Sequence, residues 1–298
     1  MLDISVIILT YNEEIHIQRC ISSIKSIAAA IFVIDCFSGD KTKEIAEVIG
    51  ATVIQRKWPG TQSEQFNWAL ENLSVKTKWV LRLDADEYIT PELATEIREK
   101  LPNLAEDITG IVLPLRRVFL GRTIKRGTGG IKMLRLFQYR KAVCEQRWMD
   151  EHMQLLEGKT IDFEYPFADH NLNNIAWWTL KHNGYSIREA IDLLDVELGL
   201  LGQTTSDIKL SEQAAAKRKK KLRYARQPLF WRSFAYFVYR YFFRLGFLEG
   251  KEGFLWHFLQ GWWYRTLVDA KIYEIKKACG TDKAKIKDYI RREYGLEI

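Results

Sequence analysis

The stretch of sequence that decides the fold reads Trp79-Val80-Leu81-Arg82-Leu83-Asp84-Ala85-Asp86-Glu87. A short, mostly apolar run that ends in carboxylates predicts a buried strand that delivers acidic groups to its carboxyl end. In open α/β sheets, ligands bind in the crevice at that end of the strands. Two carboxylates placed there can hold a hard divalent cation, and the cation can hold a diphosphate. Asp-x-Asp is a weak signal alone, so its weight comes from its position after a strand.

The first hundred residues alternate between β-branched runs and helical patterns. Strands are predicted over residues 4–9, 31–35, 51–54 and 79–83, and helices over residues 14–27, 40–50, 63–73 and 91–101. Alternation of this kind predicts a mainly parallel sheet with helices on both faces. The fold class is therefore α/β, with a Rossmann-like domain and a helical, aromatic-rich C-terminal extension.

The size and composition suit one large domain with an appendage, because the chain has 298 residues, of which 47% are hydrophobic. Cys20, Cys36, Cys144 and Cys279 are widely scattered and form no Cys-x-x-Cys pair. This spacing argues against a zinc site and a disulfide framework, and it suits a reducing compartment. We see no signal-peptide pattern at the N-terminus and no apolar stretch long enough to span a bilayer. We therefore expect a cytoplasmic location.

The last third of the chain combines positive charge with aromatic residues. Residues 217–226 hold seven Lys and Arg side chains and no acid, and residues 228–263 are dense in Phe, Tyr and Trp. Arg232, Arg240 and Arg244 are spaced to lie along one side of a helix. The pattern favours a helix lying on anionic lipid, and ordinary helix packing is the alternative. No nucleic-acid-binding motif accompanies the charge, so we expect no nucleic-acid partner.

Polar segments follow each of the first four predicted strands. They are Thr10-Tyr11-Asn12-Glu13-Glu14, Asp35 with Ser38-Gly39-Asp40, Lys57-Trp58-Pro59-Gly60, and Asp84-Ala85-Asp86. Because the carboxyl ends of parallel strands meet at one edge of a sheet, we expect these segments to converge. The loop after the first strand lacks the Gly-rich turn of a dehydrogenase or a methyltransferase and the Gly-rich, Arg-containing loop of a nucleotidyltransferase.

Three of these segments resemble the motifs of family-2 glycosyltransferases. They are residues 5–14 (SVIILTYNEE), 33–42 (VIDCFSGDKT) and 84–87 (DADE). The resemblance covers at least residues 3–170 and implies a GT-A fold with a nucleotide-sugar site. Arg135-Leu136-Phe137, followed by Trp148-Met149-Asp150-Glu151-His152, is similar to the branch that builds lipopolysaccharide cores and other surface glycans.

The resemblance implies a set of residues that bind the nucleotide sugar. They are Thr10, Tyr11, Asn12, Glu14, Asp35, Gln65, Asn67, Asp84 and Ala85. Within this set, Asp35 is a candidate for the base or the ribose hydroxyls, and Asp84 for the ribose or the donor sugar. The alternatives are a turn-forming role for Asp35 and a polar helix face for Gln65 and Asn67.

The resemblance also implies a metal and a base. Asp86 matches the acid that ligates Mg²⁺ or Mn²⁺, and His170 matches a histidine that completes the metal shell. A purely structural histidine is the alternative. Oxygen ligands favour these cations over zinc, and the cation would neutralise charge on the diphosphate leaving group. Inverting transfer needs a base for the acceptor hydroxyl, which falls on Glu151 with Asp150 as the alternative.

These inferences predict a catalytic GT-A domain over residues 1–205 and a helical basic and aromatic extension over residues 206–298. The predicted activity is inverting transfer of a hexose, from a UDP-hexose donor, to a lipid-linked saccharide or a lipopolysaccharide-type acceptor. The predicted location is the inner face of the cytoplasmic membrane. The alternatives are a nucleotidyltransferase that makes sugar nucleotides and an inactive module that only binds the membrane surface.

Overall fold

The computed structural model describes residues 2–128, 130–145, 151–201 and 223–298. Asp150 and the lysine block at 217–221 therefore lie outside the described residues. The chain divides into two compact units, Met1–Lys125 with Gly129–Leu172 and Arg126–Thr128 with Asn173–Ile298. The predicted domain boundary lies after residue 205, whereas the two units divide after residue 172, because the helix that follows shares a core with the C-terminal helices.

The first unit is built on a mixed sheet with the order β3-β2-β1-β4-β8-β6-β12-β5, and β7 and β11 also pair with β6. Its strands, with the separate β9–β10 hairpin, are β1 (Ile4–Thr10), β2 (Ala30–Asp35), β3 (Thr52–Gln55), β4 (Trp79–Asp84), β5 (Glu87–Ile89), β6 (Ile108–Phe119), β7 (Arg122–Thr123), β8 (Lys132–Gln138), β9 (Ala142–Cys144), β10 (Met153–Leu155), β11 (Lys159–Asp162) and β12 (Phe167–His170). The four predicted strands form the parallel half, β3-β2-β1-β4. Strands β4 and β8 then pair antiparallel. The predicted α/β class with a mainly parallel sheet is confirmed.

Four helices complete the first unit: α1 (Ile17–Ile24), α2 (Thr42–Val48), α3 (Gln62–Asn72) and α4 (Pro91–Lys100). The side chains of Thr61 and Thr90 accept hydrogen bonds from the first turns of α3 and α4. Such caps satisfy amide groups that have no partner inside the helix. Helix α1 begins three residues later than the sequence predicts, because Glu13 and Glu14 bond to the neighbouring loop instead.

The sheet of the first unit is buried on both faces. In β1, Ile4, Val6 and Ile8 point into one apolar cluster, and Ile7 and Leu9 point into another. A strand covered on both sides needs mostly apolar residues, which explains the apolar run Val6-Ile7-Ile8-Leu9 in the sequence. The carboxyl edge of the sheet is thereby fixed on a rigid support.

The second unit is helical, as predicted for the C-terminal extension. Its α-helices are α5 (Ile175–Leu198), α6 (Trp231–Val238), α7 (Gly250–Trp256), α8 (Tyr264–Cys279) and α9 (Lys283–Tyr294). Helix α5 packs against α8 through buried aliphatic residues such as Ile191 and Ile272. Two π-helical segments, Tyr239–Phe243 and His257–Trp263, follow α6 and α7. In the part of the chain that the structure describes, no helix is both long enough and apolar enough to cross a bilayer.

Two of the three aligned arginines lie inside the second unit. Arg232 is 3% exposed and donates to Asp269 Oδ1 at 2.5 and 2.8 Å. Arg240 is 2% exposed and donates to Gln260 Oε1 at 2.5 Å. The prediction that these arginines face lipid is therefore wrong for Arg232 and Arg240, because the buried Asp269 carboxylate and the Gln260 side-chain amide hold their guanidinium groups. Of the three, Arg244 alone is exposed.

Candidate active site

The parallel strands bring the predicted polar segments to one edge of the sheet. Thr10 and Asp35 are register partners at the ends of β1 and β2, and Leu9 is the partner of Asp84 at the end of β4. The segments that follow β1, β2 and β4 therefore start at the same level in neighbouring strands. The expected convergence of the first, second and fourth segments is confirmed.

The loops after β1 and β2 are joined by reciprocal hydrogen bonds. The amide of Asn12 donates to Ser38 Oγ at 2.8 Å, and the amide of Gly39 donates to Asn12 Oδ1 at 2.8 Å. Likewise, the amide of Lys41 donates to Glu14 Oε2 at 3.1 Å. Asn12 and Glu14 are thus occupied in holding the loops together, whereas Tyr11 is 61% exposed and offers its ring to a ligand.

Asp35 is a structural residue in this arrangement. Its side chain is fully buried and accepts hydrogen bonds from Thr10, Gln55, and the hydroxyl and amide of Ser38, at 2.5 to 3.2 Å. Four donors leave the carboxylate little capacity for a base or a ribose hydroxyl. The proposed nucleoside contact is not supported by this geometry, and the turn-forming alternative is.

Gln65 and Asn67 also serve the fold. Gln65 is fully buried and accepts from Arg56 Nη1 at 2.8 Å. Asn67 donates to the carbonyl of Cys144 and accepts from its amide, both at 2.8 Å, and so ties α3 to β9. Both side chains, which are predicted to contact the nucleotide sugar, thus form hydrogen bonds within the protein, and Asn67 is also partly exposed.

The acid pair stands at the end of β4. Side chains of Asp84 and Asp86 are partly exposed, whereas Ala85 is 3% exposed and belongs to the apolar core. Contact of Ala85 with a nucleotide would therefore have to come from its backbone, and it stays a prediction. Asp86 Oδ2 accepts from Asn171 Nδ2 at 3.0 Å. Two carboxylates therefore remain at the edge of the sheet, with an amide orienting the second.

A buried ion pair between Arg135 and Glu87 packs against the turn that carries Asp84 and Asp86. Arg135 on β8 donates to Glu87 Oε1 at 2.6 Å, and Glu87 Oε2 accepts from the amide of Asp84 at 2.9 Å. The Arg135 guanidinium also lies 3.7 Å from Asp84 Oδ2 and stacks over the ring of Phe167. Burial raises the pKa of Glu87, and Arg135 and the Asp84 amide act against that shift. The ion pair thus fixes the backbone that carries both acids.

His170 faces an arginine. Arg19 on α1 lies with Nη1 3.2 Å from His170 Nδ1, and its Nη2 donates to the carbonyls of Asp86 and His170 at 3.2 and 2.5 Å. Because a guanidinium has only donors, Nδ1 must accept, so the proton of the neutral ring sits on Nε2. Burial, followed by the charge of Arg19, lowers the pKa of His170. This arrangement argues against His170 as a metal ligand and for a structural role.

The remaining donor set still fits a divalent cation. Across the described residues, no group of three or more His, Cys, Asp or Glu is arranged to hold a metal. Mg²⁺, however, is commonly held by one or two carboxylates together with substrate phosphates, rather than by a cage made of protein alone. Asp84 and Asp86 match that pattern, because they supply hard oxygen ligands and leave the other positions to a diphosphate and water.

Arg82 links the acid pair to the candidate base. This arginine is 5% exposed, donates to Cys144 Sγ at 3.1 Å and stacks over Phe66. Burial alone would lower its pKa, but Cys144, Asp84 and Glu151 outweigh burial and raise it. Asp84 and Glu151 therefore act on the same guanidinium. Glu151 is partly exposed, and the alternative base, Asp150, lies outside the described residues.

Three arginines of the site were not predicted as site residues. Arg82 and Arg135 each interrupt an otherwise apolar strand, and a charge in a buried strand is a signal that could have found them. Arg19 lies on an amphipathic helix, where an arginine is ordinary, and nothing in the sequence pointed to it.

A mixed sheet with an Asp-x-Asp pair at the carboxyl edge of β4 is the architecture of the GT-A glycosyltransferases. Residues 5–150, just under half of the chain, match the family described as "Glycosyl transferase family 2". This match supports the resemblance of that part of the chain to family 2. The narrower assignment to the branch that builds lipopolysaccharide cores stays a prediction.

Among similar proteins, an "Uncharacterized glycosyltransferase" of Rickettsia bellii is 28% identical over 93% of this chain and 88% of its own length. Another from Rickettsia felis is 43% identical over 32% of each chain. Glucosyl-3-phosphoglycerate synthase from Mycobacterium tuberculosis, solved with Mn²⁺ and UDP, is 24% identical over 40% of this chain and 44% of that chain, with a TM-score of 0.31. At these values the last likeness says nothing about the substrates of this chain.

We predict that Glu87→Gln destabilises the first unit by about 3 kcal/mol, because it leaves the buried Arg135 charge without its closest partner. The matched control is Asp162→Asn, which removes an exposed ion pair with Lys132 and should cost at most about 1 kcal/mol. Urea unfolding of the two variants provides the comparison. Equal losses in both would show that the buried pair contributes nothing special.

Proposed function

We propose that this chain is an inverting glycosyltransferase that moves a hexose from a UDP-sugar to a lipid-linked saccharide or a lipopolysaccharide-type precursor of a surface glycan. The observation that carries the proposal is the position of Asp84 and Asp86, which stand at the carboxyl edge of β4 within the stretch that matches "Glycosyl transferase family 2". The name of the long Rickettsia bellii relative supports the same activity class.

The donor would lie along the edge formed by β1, β2 and β4. Tyr11 is the best-placed group for the nucleoside, because its ring is exposed beside loops that hydrogen bonds hold in place. Asp84 lies at the end of the neighbouring strand β4, where its carboxylate can accept a hydrogen bond from a ribose or a sugar hydroxyl. The choice of uridine and of a hexose rests on the resemblance of the first two loops to family 2.

Asp86, with Asp84 beside it, would hold Mg²⁺ or Mn²⁺. When bound, the cation supplies Lewis-acid stabilisation of the negative charge that develops on the leaving diphosphate. The protein contributes the orientation of Asp86, through Asn171, and the rigidity of the turn, through Glu87 and Arg135. His170 is left out of this set, because its Nδ1 faces Arg19.

Transfer then requires a base on the acceptor side. We assign the base to Glu151, with Asp150 as the alternative, and its carboxylate takes the proton of the acceptor hydroxyl. The acceptor oxygen forms a bond to the anomeric carbon on the face opposite the diphosphate. The bond from that carbon to the phosphate oxygen breaks, and the electron pair leaves with the nucleoside diphosphate. Configuration at the anomeric carbon is inverted.

A membrane-bound acceptor agrees with the surface of the second unit. The basic block at residues 217–226 and the exposed aromatic side chains of residues 230–254 favour attachment to anionic lipid. We therefore propose a peripheral enzyme on the inner face of the cytoplasmic membrane, with no nucleic-acid partner.

For the catalytic proposal, we predict that a panel of sugar nucleotides reveals one donor, a UDP-hexose, from which the protein releases nucleoside diphosphate only with Mg²⁺ or Mn²⁺. Asp86→Ala should lower the rate at least roughly 10²-fold, because the leaving group loses its charge stabilisation. Asp107→Ala, which removes an exposed acid of the same unit, is the control and should keep full activity. Full turnover in Asp86→Ala would remove the metal assignment.

For the base, we predict that Glu151→Gln lowers transfer to the acceptor at least roughly 10²-fold, because the amide cannot take the proton. Donor affinity, measured by calorimetry with UDP and Mn²⁺, should be unchanged. Asp150→Asn is the matched comparison. If Asp150→Asn is inactive and Glu151→Gln is not, the base is Asp150, and if both variants are fully active, the proposed base chemistry is wrong.

A further inference from the structure

The second unit exposes a dense group of apolar side chains on one short segment. We call residues 239–248 the aromatic turn; it consists of the π-helical segment Tyr239–Phe243 and the start of the 3-10 helix Gly246–Glu249. Tyr239, Phe242, Phe243, Leu245, Phe247 and Leu248 each expose 45% to 76% of their surface. Single exposed apolar residues are ordinary, but a contiguous group of this size marks an interaction site.

An open groove borders the aromatic turn. Phe234, Ala235, Val238, Tyr239 and Phe243 line it, and its volume is about 510 Å³. Clefts of roughly 300–1,000 Å³ are the usual size for binding small molecules, but those clefts also present a few polar groups that orient the ligand. A groove lined mainly by aromatic and aliphatic carbon suits a hydrocarbon chain instead.

The charge around the aromatic turn favours an anionic partner. Within the described stretch 223–248 there is no Asp or Glu, and three of its five arginines, Arg223, Arg226 and Arg244, are exposed. Arg244 and Lys251 are exposed in and beside the turn. The acids that follow do not offset them at the surface, because Glu249 is buried and accepts from the amide of Arg126, and Glu252 is only partly exposed. Aromatic and cationic groups together match the interface of an anionic bilayer.

The backbone of the aromatic turn includes one residue in an unfavourable conformation. Leu245 has φ 59°, a left-handed conformation that is unfavourable for a bulky residue, yet its side chain is 46% exposed. The turn is fixed from below, since the amide of Gly127 donates to the carbonyl of Arg244. Gly246 contacts the buried His257 so closely that a Cβ there would lie 2.6 Å from the ring. The fold therefore keeps the side chain of Leu245 exposed in a backbone conformation that costs free energy.

We propose that the aromatic turn inserts its apolar side chains into the interface of an anionic lipid bilayer, with Arg244 and Lys251 at the level of the head groups and a lipid chain in the groove. This inference rests on the proposed membrane association and names the segment that makes it. The residues proposed to contact lipid are thus Phe243, Leu245 and Leu248, and no longer the buried Arg232 and Arg240.

The test is co-sedimentation of the full chain with phosphatidylcholine vesicles that contain a minority of phosphatidylglycerol. We expect Phe243→Ser with Leu248→Ser to weaken partitioning at least roughly tenfold, since each loses a buried apolar side chain in the bilayer. The control, Val48→Ser with Leu156→Ser, alters two exposed apolar residues of the first unit and should change nothing. Leu245→Gly should also weaken partitioning while the melting temperature is kept or raised, which separates insertion from misfolding.

Each result bears on a different part of the proposal. If the wild-type chain does not sediment with anionic vesicles, the membrane association and this inference both fail. If it does, and the Phe243→Ser, Leu248→Ser variant sediments equally well, the aromatic turn is not the inserted segment. If that variant instead converts a dimer to a monomer and keeps vesicle binding, the face is an interface between copies and the inference is wrong. Release of nucleoside diphosphate by the Phe243→Ser, Leu248→Ser variant without vesicles should equal that of the wild-type chain. This measurement distinguishes a failure of the catalytic proposal from a failure of the membrane proposal.

Discussion

The repulsion between acids at one edge of a sheet is the constraint on which the site depends. Asp84, Asp86 and Glu87 fall within four residues, and like charges this close need compensation. Arginines from three elements lie among these acids. Arg135 donates a hydrogen bond to Glu87, and Arg19 donates one to the backbone carbonyl of Asp86. The charge of Asp84 raises the pKa of Arg82, so these two groups attract each other. These contacts fix the turn that carries Asp84 and Asp86 at the carboxyl edge of β4.

Much of the fold could be predicted because its signals are local. Unbroken β-branched runs predict strands covered on both faces, and the alternation with helices predicts parallel order, so the edge that carries Asp84 and Asp86 followed from the sequence. The hydrogen-bond partners of single polar side chains, by contrast, can lie far away in the sequence. Asp35 and Asn67 find partners 25 and 77 positions away along the chain, and those bonds turn candidate ligand contacts into structural ones.

The second unit shows the same limit for a surface. Helical spacing places Arg232 and Arg240 on one side of a helix, but spacing alone does not say whether that side faces water or the core. The buried Asp269 and the partly exposed Gln260, from elements later in the chain, hold these two guanidinium groups inside the unit. What remains outside is aromatic and aliphatic, so contact with lipid would come from apolar side chains, with Arg244 as the charged group beside them.

The most direct test of the account is a crystal structure of the chain with UDP and Mn²⁺, recorded with anomalous data at the manganese edge. The account predicts one strong anomalous peak within metal–ligand distance of an Asp86 carboxylate oxygen, bridging to the diphosphate, with the Glu87–Arg135 pair intact beneath it. A structure in which UDP and manganese bind together away from Asp86 would contradict it.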